Sequence, residues 1–255
     1  MSGLSVSSLS GLPEIRRGDD LAALISEAGD RQLHNGQIVA IAHKIVSKAE
    51  GAVVSLGDVK PSERARALAA EAEAATGQRR DPRAIQVVLD QSAEIIRAER
   101  GVLICRTHQG FVCANAGVDT SNAADQTLVT LPRDPDASAR AIRARVYELT
   151  GARPAVLITD SFGRAWRQGQ VDVAIGLAGL QPLDDWRGRA DAHGMELRAT
   201  MLAVADAAAA AADLARTKDS REPVVVIEGL ERFITDEDGP GAAALVRPLE
   251  EDLFR

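Results

Sequence analysis

The sequence predicts an α+β protein built from mixed sheets with flanking helices, and three observations carry that prediction. Short β-branched apolar runs at residues 37–42, 154–158 and 223–227 have the length and composition of buried strands. Between such runs lie segments with helical apolar spacing, opened by Ser or Asp and closed by Gly. Two further runs, 101–107 and 110–114, turn through His108 to Gly110 and read as an antiparallel hairpin. With 255 residues, 45% of them hydrophobic and 26% charged, the chain can bury a sizeable core as one large domain or as two intimate lobes.

Taken from the start, Leu4 and Val6 alternate with serine as a short first strand, and Pro13 then sets an extended corner. Asp19 or Asp20 caps a helix carrying Leu21, Leu24 and Ile25 that ends near Gly29. The strand at 37–42 delivers residues 43–51, where a helical turn would set Lys44 and Lys48 on one face beside Ser47. After a short strand at 53–56, Ser62 caps an Ala- and Glu-rich helix running to about Ala75. A second helix opens at Asp81-Pro82 and is expected to run through Ile85, Val88, Leu89 and Ile95 to Gly101. The hairpin follows, then a strand at 127–131. Asp134 opens a helix whose Ile142, Val146 and Leu149 are expected to face the core, with Gly151 closing it. The strand at 154–158 leads to Asp160; a glycine-punctuated strand occupies 171–179; residues 184–191 form a charged loop around Trp186. A strand beginning near Met195 is expected to run into the helix holding Ala207 to Ala212, whose small side chains permit close packing. A polar loop at 216–222, a buried strand at 223–227 and short terminal turns complete the chain. No repeat, low-complexity linker or domain boundary is evident.

Composition excludes several function classes. Aromatic residues make up 3% of the chain, too few for base-stacking platforms, and a net charge of −7 disfavours a nucleic-acid partner. No apolar run has the length of a membrane span and no signal-peptide pattern opens the chain, so a cytoplasmic protein is expected. Cys105 and Cys113 fall in the two hairpin strands and are expected to be reduced packing thiols. His34, His43, His108 and His193 show no zinc spacing. Neither a phosphate loop nor a dinucleotide fingerprint occurs, so any nucleotide must be held in another way.

Two carboxylates stand out. Asp119, in Asn115-Ala-Gly-Val-Asp-Thr-Ser-Asn122, and Asp160, in Leu157-Ile-Thr-Asp-Ser161, each sit where an apolar run gives way to hydroxyl, amide and glycine residues. Both could cap turns, as Asp commonly does. They also suit a divalent magnesium or manganese ion, which takes few protein carboxylates and completes its shell with water and phosphate, here with Ser161 and Asn122 beside them. Lys44 and Lys48 could hold phosphate oxygens or be a solvated pair. Arg164 and Arg167 offer guanidinium forks that could grip an anionic substrate or pair with Asp160.

Together, Gly11-Leu-Pro-Glu-Ile15, Gly18-Asp-Asp-Leu21, Lys44-Ile-Val-Ser-Lys-Ala-Glu-Gly51, Pro61-Ser-Glu-Arg-Ala65, Asn115 to Asn122, Leu157-Ile-Thr-Asp160 with Gly163-Arg164, and Asp185-Trp-Arg-Gly-Arg189 resemble the CofE family in order and across nearly the whole chain. These are the coenzyme F-420-0:L-glutamate ligases, or gamma-glutamyl ligases, which include the N-terminal domain of FbiB. The resemblance implies a mixed α+β fold with two lobes and a homodimer whose interface helps form the site. It implies GTP as cosubstrate, magnesium or manganese as cofactor, with potassium left open, and addition of L-glutamate to the carboxylate of a deazaflavin phospholactate with release of GDP and phosphate. By motif position Leu12, Pro13, Glu14, Ile15, His43, Lys44, Lys48 and Asn122 should meet the nucleotide. Asp119, Asp160 and Ser161 should bind metal, and Asp119, Asp160, Lys48 and Arg164 should serve catalysis. The chemistry is consistent: a carboxylate is a poor electrophile until phosphorylated, so phosphoryl transfer must be stabilised before the glutamate amine attacks.

In one loop the chain departs from the family. Several members carry at 216–222 a carboxylate or amide that helps hold a second metal, where this chain has Thr217-Lys218. Two-domain members continue into a flavin-binding, nitroreductase-like domain that these residues do not contain, so residues 1–255 are expected to be one ligase domain, either a single-domain ligase or the excised N-terminal half of a longer protein. Two other functions remain open on sequence: an amide ligase with a different carboxylate acceptor, and a non-catalytic nucleotide-binding module.

Overall fold

The computed structural model describes residues 3–28, 32–119, 126–217 and 219–252. Its larger lobe is a five-stranded sheet in the order β1 (Ser5–Ser8), β12 (Val224–Glu228), β2 (Ile38–Ala42), β8 (Ala155–Arg164), β9 (Arg167–Ala178). Only β2 and β8 run parallel; the other neighbours are antiparallel. The β-branched runs become the central strands because both faces are covered. On one face Val39, Ile41, Val156 and Ile158 pack against α1 (Leu21–Glu27), α2 (His43–Glu50) and α5 (Pro135–Thr150). On the other, Ile38, Ala40, Leu157 and Val225 pack against α6 (Val204–Ala215) through Ala205, Ala208, Ala209 and Ala212. The alanine run thus lets α6 lie close on the sheet, as its side chains allow.

The smaller lobe holds α3 (Glu63–Thr76), α4 (Pro82–Asp90) and a three-stranded antiparallel sheet of β4 (Ser92–Glu99), β5 (Val102–Thr107) and β6 (Val112–Ala114). A pair of short strands, β3 (Val53–Ser55) and β7 (Thr127–Val129), joins it. Leu56, Val87, Val88, Leu103, Cys105, Val118 and Leu128 form its separate core. Cys105 and Cys113 face each other in register as free, buried thiols. Last, β10 (Leu183–Asp185) and β11 (Met201–Ala203) make a two-stranded ribbon before α6.

Capping follows the chemistry of the residues. The side chains of Asp20, Ser62, Asp81 and Asp134 accept backbone N–H groups at the starts of α1, α3, α4 and α5. Gly51, Gly77 and Gly151 close α2, α3 and α5 in the left-handed conformation. Gly176 is required by proximity: a Cβ there would lie 2.5 Å from the Pro135 carbonyl, where β9 meets the start of α5.

Four expectations need correction. The second helix does not reach Ile95; α4 stops at Asp90, Ser92 Oγ donates to Val88 O at 2.6 Å, and Ile95 lies in β4 opposite Cys105. Cross-strand pairing with β5 overrides the helical spacing that Ile95 happens to continue. Leu149 is 43% exposed and does not face the core. The strand carrying Asp160 does not end before it but runs to Arg164 and folds back through a two-residue turn into β9, Arg164 pairing with Arg167. The strand expected from Met195 is confined to Met201–Ala203. Gly29, the expected end of α1, lies outside the described residues.

Candidate functional site

The parallel register of β2 and β8, Ala42 beside Thr159, brings the ends of both strands to one edge of the sheet. Ligand sites of open sheets form at such strand ends. There β2 passes directly into α2, whose N-terminus has no side-chain cap, so its first N–H groups are available to an anion. His43 opens this helix, buried, with Nε2 3.2 Å from Asp160 Oδ1 and Nδ1 3.4 Å from Ser47 Oγ. The next residue, Lys44, forms an ion pair with Asp119, which arrives from the smaller lobe. Asp119 is fixed there by a two-way backbone bridge with Val129, at 2.8 and 3.1 Å.

These groups surround a cleft of about 560 Å³ between the lobes, lined by His43, Lys44, Asn115, Asp119, Asp160, Ser161, Asp172, Arg216 and Arg221, among others. The cleft straddles the end of β8. Val156 and Ile158 lie on the α1 and α5 face and Leu157 on the α6 face, so strand alternation sends Asp160 toward α2 and Thr159 and Ser161 toward α6. On that second side Asp172, 3% exposed on β9 opposite Ser161, accepts hydrogen bonds from Thr159 Oγ1 at 2.8 Å and Ser161 Oγ at 2.6 Å. It also forms an ion pair with Arg216, whose guanidinium further donates to Thr159 Oγ1 at 2.6 Å and to Pro223 O at 3.1 Å. Burying a carboxylate is costly unless it is paired and hydrogen-bonded in this way.

Among the nucleotide candidates, Lys48 donates to Glu14 Oε1 at 2.5 Å, tying α2 to the extended segment holding Leu12, Pro13, Glu14 and Ile15. The Lys48 hydrogen bond, then its charge, holds the Glu14 carboxyl below the usual carboxylate range. Cys113 also lines the cleft; burial first, then the negative charge of Asp160, pushes its thiol up to about 12, so it stays protonated and is no nucleophile.

The structure therefore brings Asp119, Asp160, Ser161, His43 and Lys44 to one cavity. It sets Leu12, Pro13, Glu14, Ile15 and Lys48 in a linked segment that does not line that cavity. Asn122 and Lys218 lie outside the described residues. Arg164 and Arg167 are not brought to the cleft and do not pair with Asp160. Both are exposed at the tip of the β8–β9 hairpin, where Arg164 donates to Gln168 O at 2.7 Å and Trp166 is 81% exposed. In the 216–222 loop Thr217 lines the cleft and donates to Asp219 at 2.7 Å, while Glu222 accepts from Ser8 at 2.6 Å.

Sequence reasoning missed Asp172 and Arg216. The available signal was an acid within the apolar alternation Val171-Asp-Val-Ala-Ile175, a place where an unpaired carboxylate would be costly.

No group of three or more His, Cys, Asp or Glu side chains forms a metal cage among the described residues. The donor set nonetheless fits a hard cation held through few carboxylates, because Asp119 and Asp160 share the cleft with the Ser161 hydroxyl, leaving other positions to phosphate and water. No helix among the described residues is long and apolar enough to cross a membrane.

A family model described as F420-0:Gamma-glutamyl ligase matches residues 11–229. The chain is 44% identical to the coenzyme F420:L-glutamate ligase of Methanothermobacter thermautotrophicus, over 99% of both chains. It is 42% identical to the protein of the same name from Methanopyrus kandleri, over the full length of both. Identity to the Haloarcula marismortui protein, also so named, is 40% over 99% of this chain and 96% of that one.

Proposed function

The chain belongs to the F420-0:gamma-glutamyl ligase family, and from that premise we propose that it joins L-glutamate to the carboxylate of F420-0, a deazaflavin phospholactate, in F420 biosynthesis. In this reading GTP supplies the driving force. The acceptor carboxylate attacks the γ-phosphorus, the bond to the β-phosphate oxygen breaks, and GDP leaves. The glutamate amine then adds to the carbonyl carbon of the acyl phosphate, loses a proton, and phosphate departs as the amide forms. The observation that carries the reading is the shared cleft, in which Asp119 from one lobe and Asp160 from the other meet Lys44 and the uncapped start of α2.

Each group has a part in that sequence. Asp119 and Asp160 would hold magnesium or manganese, with Ser161 beside them; a bound cation would neutralise charge spread over the transferring phosphoryl group. Lys44 can exchange its bond to Asp119 for one to a phosphate oxygen, and the N–H groups of α2 offer donors to the same anion. His43, hydrogen-bonded to both Asp160 and Ser47, fixes the orientation of that carboxylate. Asp172 and Arg216 hold the Ser161 hydroxyl in place. Lys48, with Glu14, lies where the segment at 12–15 would approach the nucleotide. The exposed tip with Arg164, Trp166 and Arg167 supports a homodimer in which a second copy covers it and the arginines reach the site.

The test is incubation with GTP, magnesium or manganese, L-glutamate and F420-0 whose acceptor carboxylate carries oxygen-18. Phosphate release that needs every component, with one oxygen-18 in the phosphate, is expected. Release without acceptor, or phosphate free of label, would refute the acyl-phosphate route, and no release in any combination would refute the ligase reading.

A further inference from the structure

The smaller lobe contains a second cavity, about 690 Å³, between α3, α4 and the β4–β5 hairpin, which the ligase chemistry above leaves without a task. Leu68 and Ala75 of α3, Ile85 and Val88 of α4, Ala98 of β4 and Leu128 of β7 give it a largely apolar wall. Arg79, Arg80 and Arg100 also line it, none of the three in an ion pair among the described residues, together with Glu71, with Asp81 paired to Arg83 and with Glu99 paired to Arg97. Asn115 and Val118 line both this cavity and the cleft, so a single turn of backbone divides them. That turn is held in an uncommon form. Asn115, Ala116 and Gly117 are consecutively left-handed at φ 51°, 53° and 68°, and Asn115 Oδ1 accepts from Leu103 N at 3.2 Å. A run of left-handed residues carries backbone strain that surrounding structure must maintain, and such strain concentrates at ligand sites.

We propose that this cavity receives the flat heteroaromatic ring of the acceptor, with its anionic arm passing over Asn115 and Val118 so that the carboxylate reaches the cleft. The proposal rests on the ligase reading and adds to it where the acceptor sits. Volume and lining suit a ring system of that size, since small-molecule sites of roughly 300–1,000 Å³ are mainly apolar with a few placed polar groups. The cleft, by contrast, is lined by charged and hydroxyl groups suited to a triphosphate. Both substrates must be present together for phosphoryl transfer, which two cavities with a common wall permit. A guanine ring is the competing occupant. Against it, Leu12, Pro13, Glu14, Ile15 and Lys48, to which the resemblance assigns the nucleotide, do not line this cavity. The acceptor also carries a phosphodiester and a carboxylate, and three uncommitted guanidinium groups would draw that charge toward the opening.

Ala75→Trp and Ala98→Trp fill the cavity from opposite walls, and both alanines are exposed enough to change without breaking a core. Acceptor affinity is read from the anisotropy of the deazaflavin fluorescence, and nucleotide affinity from a fluorescent GTP analogue with magnesium. Circular dichroism and melting confirm folding, and either variant suffices if the other unfolds. The expected result is a rise of roughly tenfold or more in the acceptor Kd, with the GTP-analogue Kd within about twofold of wild type. Arg80→Ala with Arg100→Ala is expected to raise the acceptor Kd about threefold to tenfold at low salt and to flatten its salt dependence. Unchanged acceptor binding in both filled variants, or loss of the GTP analogue instead, would overturn the assignment. If wild-type protein turns over all substrates while both filled variants keep its acceptor KM, only this assignment fails. If wild-type protein shows no turnover at all, the ligase reading fails and takes the assignment with it.

Discussion

Removing Asp172 should expose how the floor of the cleft is held together. Its carboxylate accepts from Thr159 and Ser161 and is the ion-pair partner of Arg216, whose side chain is 9% exposed. In Asp172→Ala the guanidinium keeps only neutral acceptors, Thr159 Oγ1 and Pro223 O. Stranding one member of a buried pair costs about 3–5 kcal/mol. The two hydroxyls would add about 1 kcal/mol each if independent, but they share one acceptor with the guanidinium and their losses overlap. A total near 4 kcal/mol is therefore expected for Asp172→Ala. Asp172→Asn, which keeps one acceptor oxygen but loses the charge, should cost about half. Urea unfolding followed by circular dichroism reads the effect as a fall in midpoint with unchanged slope. The double variant Asp172→Leu with Arg216→Met removes both charges and should recover most of the lost stability. A loss below about 1 kcal/mol for Asp172→Ala, or a double variant no more stable than the single one, would refute the claim that this pair is buried and mutually dependent.

Further outcomes follow from the same geometry. Asp160→Asn should reduce kcat by about a hundredfold or more through lost electrostatic stabilisation, with a melting temperature close to wild type; turnover within a few-fold of wild type would remove Asp160 from the chemistry. Cys113, with its thiol pushed up to about 12, is neutral at pH 8 and buried, so iodoacetamide should label it only after denaturation; fast labelling of native protein, read by mass spectrometry, would contradict that. Glu14 is held below the ordinary carboxylate range by Lys48. The pair's contribution is thus present above the unfolded-state pKa and lost as pH falls through the folded one. Glu14→Gln should therefore flatten the acid limb of the stability profile below about pH 4.5 by lowering the neutral plateau slightly, this pair being largely exposed, while leaving stability at lower pH unchanged. Gly176→Ala should cost about 1–3 kcal/mol by overpacking, because the Pro135 carbonyl it would meet at 2.5 Å is backbone; a neutral outcome by thermal melting would show that β9 and α5 are less closely packed than described.

Much of the framework was legible because it is encoded locally. The β-branched runs, the Asp and Ser caps and the closing glycines each state their element within a few residues, and the structure uses Asp20, Ser62, Asp81 and Asp134 as read. The failures share a nonlocal cause. Ile95 keeps helical spacing with Val88, yet its place is set by β5, a partner that local spacing cannot display. The β8–β9 hairpin was hidden because Trp166 supplies a left-handed turn position at φ 58° where glycine or asparagine would have signalled one. For the site, Asp119 and Asp160 were visible as polar residues ending apolar runs, and the family motif tied them to one function. Asp172 was passed over because its partner Arg216 is 44 residues away and the pairing exists only after β9 and the end of α6 are brought together. Arg164 and Arg167 lie within a few residues of Asp160 in sequence, yet continuation of β8 carries them outward to the hairpin tip.

The most direct test of the account is anomalous diffraction at the manganese edge from crystals grown with manganese and a non-hydrolysable GTP analogue. A peak bonded by both Asp119 and Asp160 is expected, with Lys44 released from Asp119 onto a phosphate oxygen. A structure with the nucleotide bound, Asp119 still paired to Lys44, Asp160 still paired to His43 and manganese elsewhere would contradict it.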